Sequence, residues 1–302
     1  MVTGRFAPSP SGRMHLGNVF SALLAWLSVR SQGGEMLLRI EDLDPDRCRE
    51  EYILQLKEDL KWLGLDWDRE QTPQSRRGAA YGEAFSRLEA KGLVYPCYCS
   101  RAELHAASAP HASDGEFIYA GTCRHLTAQE RARKEKSPAW RLAVGEAEYS
   151  FTDCLQGMYG EVLNEACGDF IIRRADGVYA YQLAVVCDDI AGGVTEVTRG
   201  RDLLSSTPRQ MYLYDLLGAK IPCYCHVPLL IDASGRRLSK RDGDLDLGAL
   251  REKMTARELT GRLAWAAGLL GFYEPLSPAE LVSRFSWDKV KRGNIVIRDY
   301  MC

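Results

Sequence analysis

Three observations predict an α/β fold. Strand and helix signals alternate up to about Val94, a Pro/Ser/Gly turn at residues 8–12 feeds a helix start, and the alternation resumes at Tyr179 after a stretch of different character. The architecture expected is a doubly wound, parallel-sheet nucleotide-binding domain of Rossmann type. Residues 1–94 form its first half and residues 179–245 its second. An insertion at 95–178 splits it, and a short helical C-terminal subdomain at 246–302 follows.

The first strand is the short, partly apolar run from Val2 to Phe6. Pro8, Pro10 and Gly12 then force a turn. From Leu16 onward, Leu16, Phe20, Leu23, Leu24 and Leu27 recur at helical spacing, so His15, Gly17 and Asn18 fall at or near the first helical turn. Backbone N–H groups there lack partners and carry the positive end of the helix dipole, which suits a phosphate. Gly17 allows close approach to the backbone, and His15 and Asn18 offer donors.

Further helices are read at Ile53, Leu56, Leu60 and Leu63, and at Tyr81, Phe85 and Leu88. The second half reads as Tyr179–Ile190, a helix near Thr207–Leu217 and a buried strand at Val227–Ile231. Asp232-Ala-Ser-Gly235 then turns the chain, and Arg236, Arg237, Lys240 and Arg241 crowd into six residues with Ser239 between them. A basic loop of that kind meets charge that develops on a phosphate in a transition state. In the tail, Leu259, Leu263, Ala266 and Leu270 read as helical.

The chain has 302 residues, 46% of them hydrophobic, which allows a sizeable core and two or three subdomains. A formal net charge of −2 does not advertise RNA binding, so any RNA surface is a local patch. No apolar run approaches the roughly 20 residues of a membrane span, and no signal peptide precedes Gly4. A cytoplasmic, reduced chain is expected, so its 10 cysteines need a reason other than disulfides. Cys97-Tyr-Cys99 with the later Cys123 suits a tetrahedral zinc, although C-x-C is tighter than the usual spacing. His105, His111 and His125 compete for the fourth position. Such a site would staple the Gly/Ser/Ala-rich stretch at residues 106–115. The second Cys-x-Cys, Cys223-Tyr-Cys225 with His226, reads as core strand.

His15-Leu-Gly-Asn18 and Arg237-Leu-Ser-Lys-Arg241 together resemble the two signature motifs of class I aminoacyl-tRNA synthetases. The runs at residues 4–12, 38–44, 168–172 and 194–202 resemble the glutamyl-tRNA synthetases in particular. The similarity covers about residues 1–245. What remains is short for a helical anticodon-reading domain, so the chain looks like the truncated paralogue family, the glutamyl-queuosine tRNA(Asp) synthetases.

The resemblance implies an enzyme that activates L-glutamate with ATP and Mg²⁺ and transfers it to the queuosine base in the anticodon of tRNA(Asp). It implies a glutamate pocket of Arg5, Ala7, Ser9, Glu41, Tyr181 and Arg199, with the arginines as carboxylate forks and Glu41 meeting the ammonium. ATP would meet His15, Gly17, Asn18 and Lys240, with His15 and Lys240 catalytic. A structural Zn²⁺ would sit on Cys97, Cys99, Tyr119 and Cys123. Gln182 departs from the family's usual asparagine and is left out of the pocket. A monomer is expected. Two alternatives stay open: a shortened glutamyl-tRNA synthetase charging a 3′ end, and a non-catalytic RNA-binding relic.

Overall fold

The computed structural model describes residues 1–100, 118–236, 238, 246–297 and 300. Three parallel strands open the fold: β1 (Thr3–Phe6), β2 (Glu35–Leu38) and β3 (Arg69–Glu70), in the order β1-β2-β3. The second half supplies β9 (Glu196–Gly200) and β10 (Cys223–Val227), also parallel. β9 lies against the free side of β1. Thr195 N donates to Thr3 O, and Thr3 N donates to the Thr195 hydroxyl, both at 2.9 Å. The chain therefore leaves β1 in both directions, to β2 on one side and to β9 on the other. A crevice at the carboxyl ends of the strands belongs at such a reversal.

Helix α1 (Leu16–Ser31) follows β1 and is buried almost all round. Leu16, Val19, Phe20, Leu23, Leu24 and Leu27 are fully enclosed. An all-round apolar helix belongs in the middle of a core, and each such side chain contributes about 1.5–3 kcal/mol by leaving water. Helices α2 (Glu50–Leu63), α3 (Gly78–Ala90), α4 (Tyr181–Gly192) and α5 (Thr207–Leu216) complete the two halves.

Between the halves, β4 (Val94–Cys97), β5 (Ala139–Leu142) and β8 (Phe170–Arg173) make an antiparallel sheet. β6 (Glu148–Asp153) and β7 (Gly157–Val162) make a hairpin. The hairpin tip lies on β10, where Cys154 N donates to Tyr224 O at 2.9 Å.

Three expectations need correction. The strand read at Val227–Ile231 is two pieces. β10 ends at Val227 and β11 (Leu230–Ile231) restarts after Pro228, which has no N–H to give to a ladder. The tail is not wholly helical. It contains α6 (Leu247–Lys253) and α7 (Ala256–Ala267), and then β12 (Ile295–Val296), which pairs in parallel with β11. Leu270 lies beyond α7, which Gly268 ends in a left-handed conformation (φ +95°). Leu259, Leu263 and Ala266 enter the same core as α1 and α2. No helix among the described residues is long and apolar enough to cross a membrane.

Candidate active site

A cavity of about 460 Å³ opens at the carboxyl ends of β1 and β9. Arg5, Ala7 and Ser9 reach it from β1 and the turn beyond. His15, Gly17 and Asn18 reach it from the start of α1, Glu41 from beyond β2, Tyr181 from the first turn of α4, and Arg199 from β9. Leu238, inside the basic run, lines it too. Arg237, Ser239, Lys240 and Arg241 lie outside the described residues, but both flanks of that segment are placed. Leu238 N donates to Leu230 O at 3.2 Å, and Asp246 forms an antiparallel bridge with His15.

The start of α1 is built from its own residues. His15 is the N-cap: its Nδ1 accepts from Gly17 N at 3.1 Å, while Asn18 Oδ1 accepts from His15 N at 3.3 Å. An accepting Nδ1 carries no proton, so the neutral ring holds its proton on Nε2. Gly17 has a second reason to be glycine. A Cβ there would stand 3.0 Å from His15 Cε1 and 3.1 Å from Nδ1, displacing the ring.

Below the cavity lies a lattice of buried charge. Asp189, on α4, faces Arg5 Nε at 3.4 Å and accepts from Arg39 Nη1 at 2.5 Å. Arg39, fully buried, also holds Glu41 Oε1 at 3.0 Å. Asp188 accepts from Gln74, Arg77 and Tyr81. Burial opposes ionisation of Asp189, but Arg39 and Arg5 outweigh it and hold the carboxyl below its ordinary range. Glu41 goes the other way: burial raises it, against the pull of Arg39 and Arg5. Tyr181 is also raised, chiefly by burial. A cation entering the cavity would relieve Glu41.

Arg199 is different. Among the described residues it pairs with no carboxylate. Its Nε donates to His226 Nε2 at 3.0 Å, Nη1 to Gln210 Oε1 at 2.8 Å, and Nη2 to Thr207 Oγ1 at 2.8 Å and Leu203 O at 3.2 Å. A guanidinium has five N–H groups, so one on Nη1 remains, with the full charge. The two-pronged grip expected of Arg199 is therefore not on offer. Arg5 keeps its prongs, because among the described residues its Nη groups make one hydrogen bond, from Nη1 to Thr198 O at 3.2 Å.

Sequence reading missed the parts that hold these groups: Arg39, Asp189, Thr207, Gln210 and His226. One signal was present for Asp189, an acid pair in an otherwise apolar helix. Gln182, left out of the pocket, sits one layer behind it and accepts from Gln210 Nε2 at 2.8 Å.

A second cluster lies in the insertion. The sulfurs of Cys97, Cys99 and Cys123 are all within 4.8 Å of one another, with Cys99 and Cys123 at 3.6 Å. Tyr119 Oη stands 3.5 Å from Cys97 Sγ and 3.8 Å from Cys99 Sγ. Ligands about 2.3 Å from a tetrahedral ion sit about 3.8 Å apart, so the donor set and its spacing fit a metal. His125 is exposed and not in the cluster; His105 and His111 lie outside the described residues, as do residues 106–115. Gly168 (φ +63°) backs the tyrosine, and a Cβ there would meet Tyr119 O at 2.6 Å. The second Cys-x-Cys is only partly core: Cys225 is buried in β10, whereas Cys223 is exposed.

The model of the class I tRNA synthetase (E and Q) catalytic domain matches residues 1–284. The chain belongs to that family. Class I synthetases of known sequence resemble it closely. The glutamyl-Q tRNA(Asp) synthetase of Nitratidesulfovibrio vulgaris is 50% identical, over 95% of this chain and 92% of that one. The protein of the same name from Symbiobacterium thermophilum is 48% identical, over 98% and 96%. Among solved structures, a glutamate tRNA ligase from Elizabethkingia meningosepticum in complex with its amino acid superposes with a TM-score of 0.84 at 24% identity. That match covers 99% of this chain and 68% of that one and speaks for the fold.

Proposed function

We propose that this class I synthetase activates L-glutamate with ATP and transfers it to the queuosine base in the anticodon of tRNA(Asp), as a cytoplasmic monomer. The observation that carries the reading is the meeting, in one cavity, of a capped helix start with Arg5, Arg199 and Glu41. Relatives named for this activity that match nearly end to end support it.

Arg5 and Arg199 receive the side-chain carboxylate of glutamate, Tyr181 adds a hydroxyl donor, and Glu41 meets the ammonium. An amide in place of that carboxylate forfeits a charge-assisted bond, so glutamine is rejected. The α-carboxylate is already ionised at neutral pH and needs no protein base. Its oxygen forms a bond to the α-phosphorus of ATP as the bond to the pyrophosphate oxygen breaks, and pyrophosphate leaves in line. His15, from Nε2, and Asn18 hold phosphate oxygens, and Lys240 meets the charge that develops on phosphorus. Mg²⁺, when bound with ATP, would supply charge neutralisation on the phosphate oxygens. A hydroxyl of the modified base then attacks the acyl carbonyl and AMP leaves.

Cys97, Cys99, Cys123 and Tyr119 would hold a structural Zn²⁺, which would staple the insertion at residues 95–178. That insertion is the acceptor-binding-like unit between the catalytic halves.

The test is glutamate-dependent ATP–pyrophosphate exchange, followed by mapping labelled glutamate on ribonuclease fragments of tRNA(Asp). Label on the anticodon fragment is expected. Label on the 3′-terminal adenosine would make the protein a shortened glutamyl-tRNA synthetase, and absence of exchange would make it a relic.

A further inference from the structure

The parallel register of β9 and β10 sets Arg199 opposite His226, so both side chains stand on one face of the sheet. His226 is wholly buried. Its Nε2 accepts from Arg199 Nε at 3.0 Å and stands 3.2 Å from the Thr207 hydroxyl, which itself accepts from Arg199 Nη2. Its Nδ1 lies 2.6 Å from Asp153 Oδ2. Asp153 ends β6 at the tip of the insertion's hairpin and is 2% exposed. It also accepts from the backbone N–H groups of His226, Leu155 and Gln156. A single chain of contacts thus runs from the hairpin through the imidazole to the cationic group of the cavity.

We propose that Asp153 and His226 are positioning residues for Arg199, and that Asp153 fixes the histidine tautomer that lets Arg199 face glutamate. The inference rests on the assignment of glutamate to this cavity.

The argument is one of proton placement. Arg199 has only hydrogens to give, so the nitrogen facing its Nε must be bare. A neutral imidazole has one bare nitrogen. The Asp153 carboxylate can only accept, so it draws the ring proton to Nδ1 and leaves Nε2 bare. Burial, above all, keeps the ring uncharged; Asp153 opposes this, while Arg199 and Arg5 reinforce it. An amide at position 153 presents a donor to Nδ1 instead and turns Nε2–H against Arg199 Nε–H. Two donors then face each other. This is the logic by which an aspartate orients a catalytic histidine, applied here to a binding arginine.

The test uses the full-length protein. Glutamate-dependent ATP–pyrophosphate exchange is measured for wild type, Asp153→Asn, His226→Gln and His226→Leu, with separate KM values for glutamate and ATP. Nitrogen NMR of histidine-labelled protein reads the His226 tautomer, and the loss of its signals in His226→Gln assigns them. Wild type is expected to carry the proton on Nδ1, and Asp153→Asn on Nε2. Asp153→Asn is expected to raise the KM for glutamate about tenfold or more with the KM for ATP unmoved. His226→Gln, which can still offer an oxygen to Arg199, is expected to keep more glutamate affinity than His226→Leu. That contrast stands even where Asp153→Asn fails to fold. Normal exchange with unmoved glutamate KM in all three variants, or an Nε2 proton in wild type, would overturn the inference alone. No exchange in wild type would overturn the glutamate reading and the inference with it.

Discussion

His15 and Asp246 form an antiparallel bridge, and Leu247 N donates to Met14 O at 3.0 Å beside it. Residues more than two hundred positions apart in the chain are thereby laid against each other at the mouth of the cavity. Leu238 lines that cavity, and Asp246 lies beside His15, which lines it too. On the near side of the run Leu238 is held to Leu230 of β11, and on the far side Asp246 is held to His15 at the start of α1.

Lys240→Ala is expected to reduce the rate of glutamate-dependent pyrophosphate exchange at least a hundredfold, on the order of the loss of one preorganised transition-state donor. The KM for glutamate should stay within about twofold, since the proposed glutamate pocket uses other residues. Steady-state exchange kinetics with each substrate varied separately decide this.

Gly17→Ala tests the cap. An added methyl would stand 3.0 Å from His15 Cε1 and push the capping ring aside by a few tenths of an ångström. Alanine is the better helix former by about 1 kcal/mol, so thermal stability should hold while the KM for ATP rises severalfold. A melting curve beside exchange kinetics separates the two effects.

Asp189→Asn leaves Arg5 and Arg39 without their shared buried counter-charge. Removing one partner of a buried ion pair costs about 3–5 kcal/mol. A lowered urea midpoint is expected, together with a higher KM for glutamate. A wild-type midpoint would show that Arg39 is satisfied by Glu41 and Asp188 alone.

The raised Glu41 has a defined sign. A carboxyl whose folded pKa exceeds its unfolded one stabilises the fold at low pH, and that contribution is lost as pH rises through the folded value. An ammonium bound beside it reverses the loss. The rise in melting temperature produced by glutamate should therefore grow as pH increases above the ordinary glutamate range, and in Glu41→Gln that growth should vanish. Thermal shift titrations at a series of pH values measure it.

Zinc content measured by plasma emission should be near one ion per chain in wild type and near zero in Cys123→Ser. Tyr119→Phe removes one of the four proposed ligands and should bind zinc more weakly but measurably. Cobalt substitution would show the tetrahedral spectrum and its change in that variant.

Much of the site could be read before any coordinates. The turn at Pro8–Gly12 and the apolar spacing from Leu16 placed the helix start because backbone restriction and periodicity are local properties. Arg5, Glu41 and Arg199 came through resemblance, since nothing in their immediate neighbours distinguishes a ligand from a surface charge. His226 was read as core strand, and it is buried. Its second role depends on Asp153, 73 positions earlier, and a pair so far apart leaves no local pattern. The break at Pro228 was visible as a residue without an N–H, yet the apolar run around it masked the interruption. The pairing of β11 with β12 could not be read, because two-residue strands carry no period.

The central claim is that the start of α1 and the carboxylate pocket are two ends of one acyl-nucleotide site. A crystal structure with a non-hydrolysable glutamyl-adenylate analogue tests it most directly. The account requires the analogue's phosphate-like group against His15 and Asn18, with its side-chain carboxylate on Arg5 and beside Arg199. An analogue bound with its carboxylate away from both arginines, or in another cavity, would contradict it.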